Sequence, residues 1–303
     1  STLLGVLSGC DPKVETDDPP LKCAPGYEVQ DNECVEVEVD TCFAPDDYST
    51  TLTYEMVWND EFDGTELDPS NWVYEVNGGG GGNNELQYYT ANNTTVADGF
   101  LTITAKKEAY NGMDYTSSRV TTYNRAYFKY GIFEVRAKLP SGRGTWPAIW
   151  MMPQYSRYGG WPNSGEIDIM EHVGYNQNVI HGTIHTDWYN GKEGTQKGGS
   201  TSSYQDVSTE FHTYKIEWLP DKIKFFVDDV LYYTYIDSSY ATCPTSKIWP
   251  FNSSFFIVLN VAVGGDWGGV QGVDENAFPT SMVLDYVRVY QATELEDFDD
   301  NSE

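Results

Sequence analysis

Positive charge is what this sequence has least of. Lysine and arginine number 18 against 46 aspartates and glutamates in 303 residues, a formal net charge of −28. A phosphodiester backbone needs a basic stripe to neutralise it, so nucleic acid is excluded as a partner. A sulfated polymer is disfavoured for the same reason, whereas a neutral glycan fits. Cysteine is also scarce. The five are Cys10, Cys23, Cys34, Cys42 and Cys243, and no pair has zinc-finger spacing, which removes a zinc site. No apolar run approaches the roughly 20 residues needed to cross a bilayer. Tandem repeats and convincing amphipathic-helix periods are missing too.

What the chain has is aromatic side chains, at 15% with 9 Trp and 23 Tyr, together with 28 Gly. That mixture suits short strands, tight turns and a cleft in which rings stack on a ligand. Alternating segments recur at 100–105, 131–138, 179–186, 212–218, 222–228, 255–263 and 282–290. Strands at this spacing predict an all-β sandwich. Domain organisation follows composition. Residues 11–45 are acidic and Pro-rich at first and read as a tether. Residues 46–291 form the main domain, and 292–303 read as a disordered acidic tail. Gly78 to Gly82 are five consecutive glycines that let a loop approach a ligand closely, followed by the polar-aromatic run Asn84-Glu85-Leu86-Gln87-Tyr88-Tyr89.

The chemistry concentrates in Gly165-Glu166-Ile167-Asp168-Ile169-Met170-Glu171. In a strand Glu166 and Asp168 share one face, with Ile167 and Ile169 on the other. Glu171 is out of phase, and one β-bulge near Met170 restores it to the acidic face. Four effective steps of roughly 3.3 Å put the glutamate Cα atoms about 13 Å apart. Side chains leaning together can close most of that, towards the carboxyl spacing of about 5–5.5 Å at which one acid attacks a sugar while the other moves the proton. Trp146, Trp150 and Trp161 precede the acids, and His172 follows them.

This heptad resembles the catalytic signature of glycoside hydrolase family 16, in the bulged form of its laminarinase-type branch. Supporting matches run through about residues 51–291. They include Trp58-Asn59-Asp60-Glu61-Phe62, Asn84 to Tyr89, Tyr130 to Lys138, Trp146 to Met151, His181 to Thr186, Asn260 to Gly265 and Asp285 to Tyr290. The resemblance implies a concanavalin A-like jelly-roll β-sandwich with a concave cleft for a polysaccharide. It makes Glu166 the nucleophile, Glu171 the acid/base and Asp168 the residue that orients the nucleophile. Trp146, Trp150 and Trp267 would stack on sugars, and Asn84, Glu85, Gln87 and His185 would reach hydroxyls or the acids. A structural calcium ion would take Glu61, the Gly99 carbonyl and Asp285. The implied reaction is retaining endo-hydrolysis of β-1,3-glucan by a monomer. Mixed-linkage glucan, red-algal galactans and transglycosylation are the alternatives.

Two expectations concern export. Leu3-Leu4-Gly5-Val6-Leu7-Ser8-Gly9-Cys10 resembles the lipobox of bacterial lipoproteins. It is expected to be the end of a signal peptide, over residues 1–10, that leaves Cys10 lipidated and the protein on the outer membrane or cell surface. An exported chain can oxidise Cys23, Cys34, Cys42 and Cys243, and four cysteines allow three pairings. The turn-rich loop between Cys23 and Cys34 makes that pair the first choice, leaving Cys42 with Cys243.

Overall fold

The computed structural model describes residues 27–30, 33–36, 52–236 and 245–295. The chain divides into two units, Ser1–Glu38 and Val39–Glu303, so the division falls ahead of the expected one after residue 45. In the first unit β1 (Tyr27–Gln30) and β2 (Glu33–Glu36) form an antiparallel hairpin. Cys34 in that hairpin is disulfide-bonded. Cys10, Cys23, Cys42 and Cys243 lie outside the described residues.

The second unit is two sheets. The strands in chain order are β3 (Tyr54–Asp60), β4 (Val73–Tyr74), β5 (Gln87–Tyr89), β6 (Thr94–Ala97) and β7 (Phe100–Tyr110). Then come β8 (Met113–Ser117), β9 (Arg119–Thr121), β10 (Tyr127–Phe128), β11 (Gly131–Lys138) and β12 (Thr145–Pro153). Next are β13 (Glu166–Glu171), β14 (Ile180–His185), β15 (Lys197–Thr201), β16 (His212–Trp218) and β17 (Ile223–Val227). The last are β18 (Val230–Tyr235), β19 (Phe255–Val263) and β20 (Thr280–Ala292). One sheet of eight strands runs β15-β14-β13-β12-β19-β9-β4, with β10 also on β19. The other, of ten, runs β18-β17-β16-β11-β20-β7-β8-β5, with β3 on β20 and β6 on β7. The one α-helix among the described residues is a single turn, Gly265–Gly268.

Alternation decides the two faces. In β11 every second residue is buried, and β16 and β17 repeat the pattern. Their inward residues meet those of the eight-stranded sheet in one core. Trp218 of β16 lies 6.0 Å from Phe133 of β11 and 5.2 Å from Phe255 of β19, so it bridges the sheets. Each large side chain removed from water here stabilises the sandwich by about 1.5–3 kcal/mol. The C-terminal boundary moves outward from the expected 291: β20 runs to Ala292, and Leu295 is buried in the core cluster.

Candidate active site

The acidic heptad supplies β13 from Glu166 onward, and its register shows the bulge. Against β12, Met170 pairs with Ile149 and Asp168 with Trp150, so Ile169 has no partner of its own. Against β14, Glu166 pairs with His185 and Glu171 with His181, again with a shift between Asp168 and Glu171. Ile169 and Met170 are consequently buried one after the other, and the alternation restarts beyond them. Glu166, Asp168 and Glu171 share one face of the eight-stranded sheet, as the spacing predicts. The extra residue is Ile169, next to the expected Met170.

The three carboxyls have different surroundings. Trp161 donates its indole N–H to Glu166 Oε2 at 2.6 Å. Trp146 donates to Glu171 Oε1 at 3.0 Å. Burial pushes Glu171 well above the ordinary carboxyl range, and the negative charge of Asp168 adds to it, against smaller opposing effects of His185 and the Trp146 hydrogen bond. Asp168 is 2% exposed, and burial also pushes its carboxyl well above the ordinary range, with the Glu166 charge and a Glu166 hydrogen bond adding to it.

His185 joins this group. Its Nε2 is 3.1 Å from Asp168 Oδ2 and 3.9 Å from Glu166 Oε1. Its Nδ1 accepts the Gly191 N–H at 3.0 Å, so the neutral ring carries its proton on Nε2, facing the acids. By distance alone Glu166, Asp168 and His185 could hold a metal ion. The proton on Nε2 removes the lone pair such an ion needs, and the arrangement suits charge orientation instead.

The expected stacking residues divide. Trp146 is half-buried and meets Trp267 edge-on at 5.5 Å, and Trp267 in turn lies 5.0 Å from His181. These rings line the Glu171 end. Trp150 lies opposite Asp168, gives its N–H to Asn260 at 2.7 Å and carries the Arg119 guanidinium on its ring at 4.5 Å. Trp161 lies at the Glu166 end, 46% exposed and 5.8 Å from the His185 ring. Sequence reasoning places Trp161 beside the site without assigning the contact to Glu166. It misses Arg119 altogether, since a single arginine opening a three-residue strand carries no signal.

The glycine-rich loop differs from expectation in its reason. Gly81 has φ +58°, and a Cβ there would lie 2.5 Å from the Glu85 carboxylate; one at Gly78 would lie 2.6 Å from the Tyr88 ring. The glycines make room for the loop's own side chains. Gln87 is 1% exposed, donates to Glu85 at 2.7 Å and accepts the Val263 N–H at 2.7 Å, so it fastens the loop to β19 and is too buried to reach a sugar. Glu85 is buried and also accepts from Tyr89 and Asn83. Asn84 is exposed and donates to Asp266 at 2.9 Å.

The calcium set does not fit as arranged. Both Glu61 oxygens accept from Arg288 at 2.8 Å, and Asp285 pairs with Arg136. An ion using both carboxylates would have to displace two guanidinium groups.

Comparison with known proteins follows this geometry. Residues 82–287 match the model for glycosyl hydrolases family 16. The chain is 53% identical over 249 residues to the beta-glucanase of Rhodothermus marinus, covering 80% of this chain and 86% of that protein. The X-ray structure of the laminarinase from Rhodothermus marinus superposes with a TM-score of 0.77 at 52% identity, covering 80% of this chain and 98% of that one. The laminarinase from a Flavobacterium species superposes with a TM-score of 0.71 at 41% identity, covering 78% and 100%.

Proposed function

The chain belongs to glycosyl hydrolase family 16 and has its jelly-roll sandwich, and on that premise we propose that it is a retaining endo-1,3-β-glucanase acting on laminarin-type polysaccharide. The observation that carries the reading is the bulge at Ile169, which brings Glu166 and Glu171 to one face in unlike surroundings. Burial and the neighbouring negative charge keep Glu171 protonated, so it donates to the leaving glycosidic oxygen. Glu166, held by the Trp161 N–H, attacks the anomeric carbon. Asp168 fixes the nucleophile's carboxyl, and His185 fixes Asp168. Glu171, now ionised, takes a proton from a water whose oxygen attacks the anomeric carbon and displaces the Glu166 carboxylate, releasing the sugar with retained configuration.

Digestion of laminarin, lichenan, agarose and carrageenan tests the substrate, with laminarin expected to be cut best. Glu166→Gln is expected to lower the rate by about a thousandfold or more. Proton NMR of the first product is expected to show the β-anomer, and an initial α-anomer would rule out double displacement.

The remaining expectations enter as proposals. Cys10 would carry lipid, with residues 11–45 as the spacer that holds a monomeric catalytic domain off the outer membrane. Each acyl CH₂ buried in a bilayer contributes about 0.8 kcal/mol, and two or three chains make release very slow. Fractionation of the native host expressing wild type or Cys10→Ser tests this; equal distribution to the soluble fraction removes the anchor. Calcium is carried only as a ligand that would have to break the Glu61–Arg288 and Asp285–Arg136 pairs.

A further inference from the structure

An aromatic surface lies on the acid-bearing face of the eight-stranded sheet, away from the acids. Phe256 sits opposite both Met152 of β12 and Tyr127 of β10, so its side chain shares their face. Two residues further along the same pair of strands, Val258 lies opposite Trp150. Two residues span about 6.6 Å in a strand, so Phe256 is continuous with the floor on which Trp150 stands. Tyr123 meets the Phe256 ring at 5.0 Å, and Tyr127 meets Tyr155 at 6.1 Å. Tyr123, Tyr127 and Tyr155 are 44%, 42% and 61% exposed, and aromatic rings this open on adjoining elements leave their hydroxyls at the water boundary.

The charge of this surface is as specific as its shape. Residues 115–133, 147–165 and 245–263, which contain every side chain just named, include no aspartate or glutamate, in a chain that has 46. Each of the five basic groups among them has a partner: Arg119 pairs with Glu75, and Lys129 and Lys247 lie over the Tyr130 and Trp188 rings. Arg125 donates through Nε to the Pro69 carbonyl at 3.0 Å, and the Arg157 guanidinium lies over the Tyr158 ring. These segments therefore bring aromatic rings, no acid and no unpartnered cation to a strongly acidic protein. Between the rings, buried Gln154 donates to the Asn124 side chain and accepts the Asn124 backbone N–H, which holds the exposed Asn124 amide at the edge. The loop from β12 to β13 joins it to the site: Tyr155 stands at one end, and Trp161, on Glu166, near the other.

We propose that Tyr123, Tyr127 and Tyr155, backed by Phe256, form a second contact surface for a neutral β-glucan chain, outside the catalytic cleft and continuous with it through the 154–165 loop. The choice of polymer rests on the proposed function. Neutral rings with hydroxyl and amide groups at their edges match the C–H faces and equatorial hydroxyls of a glucan. An anionic polymer would find no uncommitted cation there. Such a surface holds a long chain while the cleft processes it, and has no effect on a chain too short to reach it.

Affinity electrophoresis in native gels containing laminarin or lichenan reads this without hydrolysis when both proteins carry Glu166→Gln. Adding Tyr123→Ala, Tyr127→Ala and Tyr155→Ala is expected to weaken binding about tenfold. Tyr155→Phe, which keeps the ring, is expected to bind like its parent. With Glu166 restored, the triple variant is expected to cut a short oligosaccharide at the wild-type rate and a long polymer with a raised KM. Unchanged retardation in the triple variant, with an unchanged melting temperature to show that it is folded, overturns the proposal. So does equal loss on short and long substrates, which would make the surface part of the cleft. So does retardation of the parent by a carboxymethylated glucan alone. If wild type cuts no β-glucan, the proposed function fails; if it does and the triple variant binds as well as its parent, only this surface fails.

Discussion

Trp161 gives its indole N–H to Glu166 across 2.6 Å, from a side chain that is nearly half exposed. The donor comes from the loop before β13 and reaches forward over five positions to the acid proposed as the nucleophile. Hydrogen bonds to charged groups are worth about 1.5–3 kcal/mol.

Trp161→Phe keeps the ring and removes the donor. It is expected to lower kcat on laminarin about ten- to a hundredfold, the range that follows from that energy. Trp161→Leu removes the ring as well and is expected to raise KM in addition. Steady-state kinetics separates the two; a Phe variant with full kcat would show that the contact with Glu166 serves no catalytic purpose.

The glycine loop gives a paired stability test. Gly81→Ala puts a Cβ against the buried Glu85 carboxylate and forces an L-residue to φ +58°, whereas Gly82→Ala meets nothing within 4 Å and bears only the cost of φ +76°. Left-handed backbone costs an alanine about 1 kcal/mol. Gly82→Ala is expected to lose about that much, and Gly81→Ala about 1–3 kcal/mol more, because Glu85 is fixed by Gln87. Denaturant melts measure both, and equal losses would show that Glu85 yields.

Much of this site was legible because its grammar is local. Strand parity alone groups Glu166 with Asp168, and the strands at 131–138, 212–218 and 255–263 have the predicted bounds because their alternation or apolar run is uninterrupted. What failed was long-range. Gln87 looks like a sugar ligand until Val263 and Glu85 occupy both ends of its amide. Glu61 and Asp285 look like free oxygen donors until β20 brings Arg288 to one and β11 brings Arg136 to the other. Arg119 is placed on Trp150 only by the neighbours of β19, a relation no spacing encodes.

Chelation tests the calcium proposal against those ion pairs. Glu61 is held by Arg288, and that hydrogen bond lowers its carboxyl below the ordinary range. A set already neutralised by guanidinium groups gains little from an added ion, so EDTA is expected to leave the melting temperature unchanged. A fall with EDTA that added calcium reverses would show binding by mass action and would mean that both pairs open to admit the ion.

The pH dependence follows from Glu171. Its carboxyl is held well above the ordinary range, first by burial and then by the charge of Asp168. In the proposed reaction the protonated form donates to the leaving oxygen, so kcat/KM is expected to fall as pH rises through the raised value, and Glu171→Gln should lose that limb along with most activity. The sign for stability is linked. A carboxyl raised in the folded state binds more protons folded than unfolded, so the fold loses stability as pH rises from the unfolded value, about 4.3, through the folded one. Glu171→Gln escapes that loss. It is expected to melt higher than wild type at neutral pH, with the difference shrinking as pH falls towards about 4. Asp168→Asn should behave alike, since burial raises Asp168 too. Thermal melts of the three proteins across this range check the sign, and a wild type more stable than both variants at pH 7 would show that hydrogen bonds to the charged forms outweigh their burial.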